Sequence, residues 1–222
     1  VPRGARSRRR LCGLGVRVSV CCGAWDRALL NLDDQTTIMT LMEAASELQR
    51  GEKAPGFGLE NPDGKEVELS DLDNYDGVLV VFMCNHCPFV KANLPELSRL
   101  IEEFPSVAFV GINPNSDVHP QDTVEKMPEL VEEYGLESEN FYYLADPDQE
   151  VAGSYGATCT PDPFLLDMRH RLFYQGRLSD KTSPSDDLTE HEMQQVMEDM
   201  LKSRDPPEEQ KPSQGCSIKW KK

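Results

Sequence analysis

Apolar positions in the middle of the chain fall into short unbroken runs separated by stretches of helical period. Val78-Leu79-Val80-Val81-Phe82-Met83 and Val107-Ala108-Phe109-Val110-Gly111-Ile112 are continuous and rich in β-branched residues. Such runs predict strands buried on both faces. Between them Val90, Leu94, Leu97, Ile101 and Phe104 recur at helical spacing. An amphipathic helix is expected there, kinked at Pro95. Upstream, Phe57–Leu59 and Lys65–Leu69 flank Asn61-Pro62-Asp63-Gly64, a turn sequence that predicts a β-hairpin. Leu41–Arg50 reads as a short helix before it. Downstream, Val124, Met127, Leu130, Val131 and Tyr134 predict a second helix, broken or restarted at Pro128 and closed by Gly135. Phe141–Leu144 reads as a strand and Gln149–Tyr155 as a short helix. Phe164–Asp167 and Arg171–Gln175 read as a strand pair. Thr189 and Glu192 have capping-box spacing for a last helix, whose apolar face is Met193, Val196, Met197, Met200 and Leu201.

The resulting order is β-hairpin, β, α, β, α, β, α, β, β, α. It predicts an α/β fold with a mixed central sheet, helices on both faces and an N-terminal β-hairpin. Residues 41–202 form the expected domain. Residues 203–222 hold three prolines and little apolar content, and read as an extended C-terminal tail.

Charge narrows the partners. The formal net charge is −16, which argues against nucleic acid. No run approaches eighteen apolar residues, so no membrane span is expected. Residues 1–25 hold six arginines and no acidic residue, and the other 17 basic residues face all 39 acidic ones. Residues 1–40 therefore read as a separate leader. An Arg-rich, acid-poor stretch fits a mitochondrial or plastid transit peptide; Leu11–Ala24 fits a signal h-region except for Arg17. The third reading is a disordered segment or an artefact of cloning or gene assignment, because Val1-Pro2-Arg3-Gly4 resembles part of a thrombin-site linker. The compartment follows from that choice: mitochondrial or plastid for a transit peptide, cytoplasmic if residues 1–38 are not native.

The chemistry gathers at Cys84-Asn85-His86-Cys87-Pro88, between the first buried strand and the first helix. Pro88 suits a first helical turn. A helix N-terminus presents free N–H groups and partial positive charge, which favour a thiolate. Cys84 is therefore expected to have a lowered pKa and to be reactive. Two intervening residues let the second sulfur reach the first, so the pair can cycle between dithiol and disulfide. The seven cysteines lack the regular spacing of a disulfide-stapled secreted scaffold.

About 75 residues further on, Thr160-Pro161 precedes a strand. The strand–Cys-x-x-Cys–helix unit followed by such a proline resembles the thioredoxin fold. More narrowly, Phe82–Lys91, Tyr155–Asp162 and the run Gly215-Cys216-Ser217-Ile218-Lys219-Trp220 resemble a thioredoxin-like branch related to the alkyl hydroperoxide reductase/thiol-specific antioxidant proteins. The resemblance covers roughly residues 45–222. It implies a thiol–disulfide oxidoreductase or a peroxide-reducing relative. It also implies that Cys84 is the exposed nucleophile, Cys87 the resolving thiol, and Pro161 a cis proline facing them. The backbone of Thr160 then lies where an extended substrate could add as a strand.

Other residues are weighed against that centre. His86 precedes the second cysteine, where an imidazolium would stabilise the thiolate and make the pair more oxidising; the alternative is an exposed turn histidine. Cys159 either approaches the dithiol or is a buried inert cysteine. Cys216 is either a third redox thiol on a mobile tail or a solvent-facing cysteine. His119, His170 and His191 show no ligand or triad spacing and are assigned to loops and surfaces. Trp220 is a candidate for docking the tail.

The leading reading is a thiol–disulfide oxidoreductase with no cofactor and no resident metal. Its partners would be a protein or small-molecule disulfide or thiol, and an external thiol reductant. The alternative is a thiol peroxidase acting on peroxide. Placing Cys87 at the cysteine of the peroxiredoxin pattern P-x-x-x-[ST]-x-x-C puts Cys84 at the Ser/Thr and Val80 at the Pro, a departure from that pattern. A third reading is a Cu(I) or Zn carrier using Cys84, Cys87 and His86 or Cys216.

Overall fold

The computed structural model describes residues 41–44 and 48–222. The expected leader lies outside them. The centre of the fold is a five-stranded sheet in the order β6-β5-β4-β8-β9: Phe141–Ala145, Val107–Asn113, Gly77–Phe82, Asp162–Asp167 and Leu172–Gln175. β4 pairs parallel with β5, and β5 with β6; β8 runs antiparallel to both β4 and β9. The sheet is mixed, as the element order predicted.

Every residue of β4 and β5 is buried, which accounts for their unbroken apolar runs. Successive side chains point to opposite faces. On one face Leu79 and Val81 pack with helix α1 (Pro88–Glu103), α2 (Met127–Glu133) and α4 (Glu192–Leu201). On the other, Val78, Val80 and Phe82 pack with Ala152 and Tyr155 of α3 (Glu150–Tyr155). Phe82, Tyr155 and Phe164 meet edge to face there, with centroids 5.4–5.7 Å apart. With helices on both faces this is the expected thioredoxin-like α/β arrangement.

The hairpin forms as β2 (Gly58–Glu60) and β3 (Glu66–Glu68). Asn61 Oδ1 accepts from the amides of Asp63 (3.1 Å) and Lys65 (2.9 Å), and Gly64 takes the left-handed φ of 76° that closes the turn. α1 runs unbroken through Pro95. At Pro128 the helix restarts: a 3₁₀ turn at Val124–Lys126 precedes α2. The capping box at Thr189 does not form. Thr189 instead bonds Asp180 through its amide and hydroxyl, and the helix starts at Glu192.

Two segments differ from expectation and bear on the site. Residues 41–43 form a strand, β1 (Leu41–Glu43), where a helix was expected. Residues 203–222 do not trail away. Gln214–Ser217 is strand β10, antiparallel between β1 and the two-residue β7 (Cys159–Thr160). The end of the chain is then pinned by polar side chains. Lys219 N–H donates to Asn115 Oδ1 (3.0 Å), and Gln149 donates to the Lys219 carbonyl (2.9 Å) and accepts from Lys221 N–H (2.7 Å). Trp220 stays largely exposed, so backbone bonds rather than the indole hold the tail. No helix among the described residues is long and apolar enough to cross a membrane.

Candidate functional site

β4 ends at Phe82 and α1 begins at Pro88, so the five residues between them carry the dithiol at the C-terminal edge of the sheet. Met83 N–H still bonds the Ile112 carbonyl (2.8 Å), which holds the turn against β5. Cys87 is the N-cap of α1 and Pro88 lies in its first turn. The Thr160–Pro161 peptide is cis, and Thr160 comes up beside both sulfurs. Cys84 Sγ lies 3.4 Å from Thr160 Oγ1, and Cys87 Sγ lies 3.2 Å from the Thr160 carbonyl oxygen. Sequence positions 76 and 73 residues apart are thus brought to one point.

The two sulfurs differ from the sequence expectation. Cys84 is not exposed: it is fully buried, as is Cys87. The pKa of Cys84 is not lowered but raised well above the thiol range. Burial is the main cause, followed by its hydrogen bond to Cys87 and the charge of Asp122. Cys87 is the sulfur whose pKa falls far below the ordinary thiol value. Its thiolate accepts from Cys216 and then from Cys84, and the Val90 amide in the first helical turn adds to this. A neutral Cys87 donates to the Thr160 carbonyl; the charged form gives up that bond and accepts from its two thiol neighbours. The fall comes chiefly from the two neighbouring thiols; the first helical turn adds only the Val90 amide, and does so at Cys87, which caps the helix, not at Cys84.

Cys216 lies on β10, directly opposite Thr160, and is buried rather than solvent-facing or mobile. Its own pKa is raised, first by the hydrogen bond it gives Cys87 and then by burial. Cys159 is the inert alternative: its sulfur faces the Pro161 carbonyl at 3.7 Å, and burial holds its pKa above the thiol range. All four cysteines among the described residues are free thiols.

His86 is not an exposed turn residue. Its side chain is 5% exposed and its Nδ1 donates to Asp122 Oδ2 at 2.6 Å, while Asp122 Oδ1 accepts its backbone N–H at 2.9 Å. The same Nδ1 is 3.7 Å from Cys84 Sγ. His119, assigned to a loop, stacks on the His86 ring with centroids 3.8 Å apart. Burial and the neighbouring His86 lower the His119 pKa. Asn85 is fixed by Tyr143, whose hydroxyl donates to Asn85 Oδ1 at 2.8 Å, and by its own bond to the Gln121 carbonyl. Asp122, His119 and Tyr143 were not found from the sequence. Asp122 ends a polar loop after a buried strand, and nothing in its local pattern marks it.

Cys84, His86 and Asp122 offer a sulfur, a nitrogen and an oxygen within 4.8 Å of one another, a metal-like donor group. The Nδ1 among them is already committed to the Asp122 carboxylate at 2.6 Å. A shallow depression of about 210 Å³ lies over Asn85 and His86, between Lys91, Lys126, Glu129 and Glu133. A larger cavity, about 700 Å³, lies against Phe57, Asp146 and Val151, and no cysteine is among its lining residues.

Comparison with known proteins adds to this geometry. Residues 50–175 match the AhpC/TSA family. An uncharacterized conserved protein of Geobacillus kaustophilus of known structure is 39% identical, with a TM-score of 0.75 over 82% of this chain and 97% of that one. Thiol-disulfide oxidoreductase ResA of Halalkalibacterium halodurans is 30% identical over 118 residues, 52% of this chain and 61% of that protein. The chain thus spans less than two thirds of that relative. A protein of Helicobacter pylori named as peroxiredoxin bcp is 29% identical over 113 residues, 50% of this chain and 68% of that protein.

Proposed function

The chain belongs to the AhpC/TSA family, and from that premise we propose that it is a thiol–disulfide oxidoreductase working through a Cys84–Cys87 couple. The observation that carries this reading is the meeting of both sulfurs with each other and with Thr160 at the strand–helix turn. Thiolate character selects the attacking sulfur. Cys87 attacks one sulfur of a substrate disulfide, and the other leaves as a thiolate. Cys84 then attacks Cys87 in the mixed disulfide, releasing the second substrate thiolate and closing Cys84–Cys87. Two electrons pass to the substrate, and an external thiol reductant returns them. These roles reverse those implied by the family resemblance.

A second reading is favoured by the same low pKa at Cys87. A thiolate there can attack a peroxide oxygen, expel water or an alcohol, and become a sulfenic acid that Cys84 resolves with loss of water. The Cys84 and Val80 departures from the peroxiredoxin pattern weigh against it.

The test offers the purified chain a protein disulfide and hydrogen peroxide in parallel. Disulfide turnover with a mapped Cys84–Cys87 bridge is expected, and Cys87→Ser should lower it at least about a hundredfold. Wild-type turnover by Cys87→Ser overturns the assignment. Peroxide consumption far ahead of disulfide reduction replaces the first reading with the second.

A further inference from the structure

In a two-strand pairing, residues directly opposite share a face of the sheet, and their neighbours take the other. Cys216 stands opposite Thr160, and Ser217 opposite Cys159. Thr160 turns its hydroxyl to Cys84 and its carbonyl to Cys87. Cys216 therefore enters the dithiol face, and Cys159 is left on the other. The approach is close. A Cβ on Gly215 would lie 2.0 Å from the Thr160 carbonyl oxygen, so only glycine lets β10 run here. Ser213 Oγ anchors the strand's start on the Pro161 carbonyl (2.6 Å), and Ile218 N–H bonds the Thr158 carbonyl (3.1 Å) beyond its end. The place beside Thr160 that an extended substrate was expected to take is filled by the chain itself, with a thiol at the position facing the couple.

We propose that β10 is a built-in substrate strand and that Cys216 is a third exchangeable thiol, so that the centre interconverts between a Cys84–Cys87 and a Cys87–Cys216 disulfide. This rests on the oxidoreductase reading of the Cys84–Cys87 couple. In the exchange the Cys216 sulfur, deprotonated, attacks Cys87 Sγ. The Cys87–Cys216 bond forms as the Cys84–Cys87 bond breaks, and its electron pair leaves on Cys84, which takes up the proton lost by Cys216. One disulfide and one thiol enter and leave, so no further oxidant is needed. A protein substrate must displace β10 to reach the same backbone.

The test titrates the full chain with glutathione disulfide, quenches in acid, alkylates free thiols and maps the bridges by mass spectrometry. Wild type should close Cys84–Cys87. Counted over positions 84, 87 and 216, Cys84→Ser, and Cys84→Ala as a second form, should still lose two thiols by closing Cys87–Cys216. The Cys84→Ser/Cys216→Ser double variant should lose one there, as a glutathione adduct on Cys87. A single-thiol loss in the Cys84 variants, with Cys216 alkylated, overturns the proposal while leaving the couple intact. Failure of wild type to close Cys84–Cys87 overturns the underlying reading instead. In wild-type background Gly215→Ala should push β10 off Thr160 and speed alkylation of Cys87 at least tenfold. An unchanged rate shows that the strand does not guard the sulfur and also counts against the proposal.

Discussion

His86 owes its place to residues far from it in the chain. Asp122 takes both its backbone and its ring N–H, and His119 stacks on its face. The same Nδ1 that faces Asp122 lies 3.7 Å from Cys84. Shared between Asp122 and the Cys84 sulfur, that N–H stabilises the reduced dithiol more than the disulfide, so the couple should be more oxidising than thioredoxin. We expect a potential between about −270 and about −180 mV, the values of thioredoxin and protein disulfide isomerase. His86→Ala should move it toward thioredoxin, read by titration against glutathione buffers; a wild-type value at or below thioredoxin would sink the argument. Asp162 gives a second residue-scale prediction. Burial pushes its pKa up to about 7, against partial relief from Gln175 and the Thr158 amide. The folded state thus holds this proton to higher pH than the unfolded chain does. Its stabilising share is full below the ordinary aspartate pKa and is lost as pH rises through about 7. Between about pH 5 and about pH 8 it should cost roughly 2 kcal/mol. Asp162→Asn should flatten that part of the profile in urea melts; an unchanged slope would show that another group carries it. At this scale the cysteines and Thr160-Pro161 were legible because their signals are local. Asp122, His119 and Tyr143 were not, because only the fold brings the 113–122 loop and β6 over the turn.

At the scale of elements, periodicity worked where burial imposes it. β4 and β5 are buried on both faces and α1 on one, and each was visible as a run or a repeat. β1 and β10 were missed for the opposite reason. They have three and four residues, and pair only with each other and the two-residue β7, so no alternation builds up. Pro95 shows local preference overridden. It lies exposed in the eighth position of α1, where it leaves the Lys91 carbonyl without its helical donor, yet Leu94, Leu97, Leu100 and Ile101 bury the face around it and carry the helix through. Pro95→Ala returns that hydrogen bond and loses no packing. Set against the greater freedom of the unfolded chain, it should stabilise the protein by about 1–2 kcal/mol in urea denaturation. The redox potential should not move, since Pro95 lies two turns from Cys87. A destabilised variant would mean that the proline ring is packed in a way its exposure does not suggest.

For the whole molecule, the consequential misreading was the C-terminal segment. Its prolines and charges suggested a tail, and in the structure it is the strand that closes the site. Composition did not reveal this because the contacts that hold it are backbone bonds to β7 and polar grips from Asn115 and Gln149, which leave no apolar pattern. Cys216 and Ile218 are nevertheless buried, and β1 has no other strand partner among the described residues. A chain ending at Ser213 should therefore lose roughly 2–5 kcal/mol of stability from those two side chains. It should also open both sulfurs of the couple to iodoacetamide, raising the alkylation rate by at least about tenfold as access replaces burial. Cys216→Ala separates the two effects. It keeps the strand and most of its stability, losing about 1–2 kcal/mol with the buried sulfur, but removes a hydrogen-bond donor from Cys87, so the thiolate absorbance of Cys87 should titrate at higher pH than in wild type. If the shortened chain alkylates no faster than wild type, the closure lies in the loop that carries His119 and Asp122, and substrates must enter there.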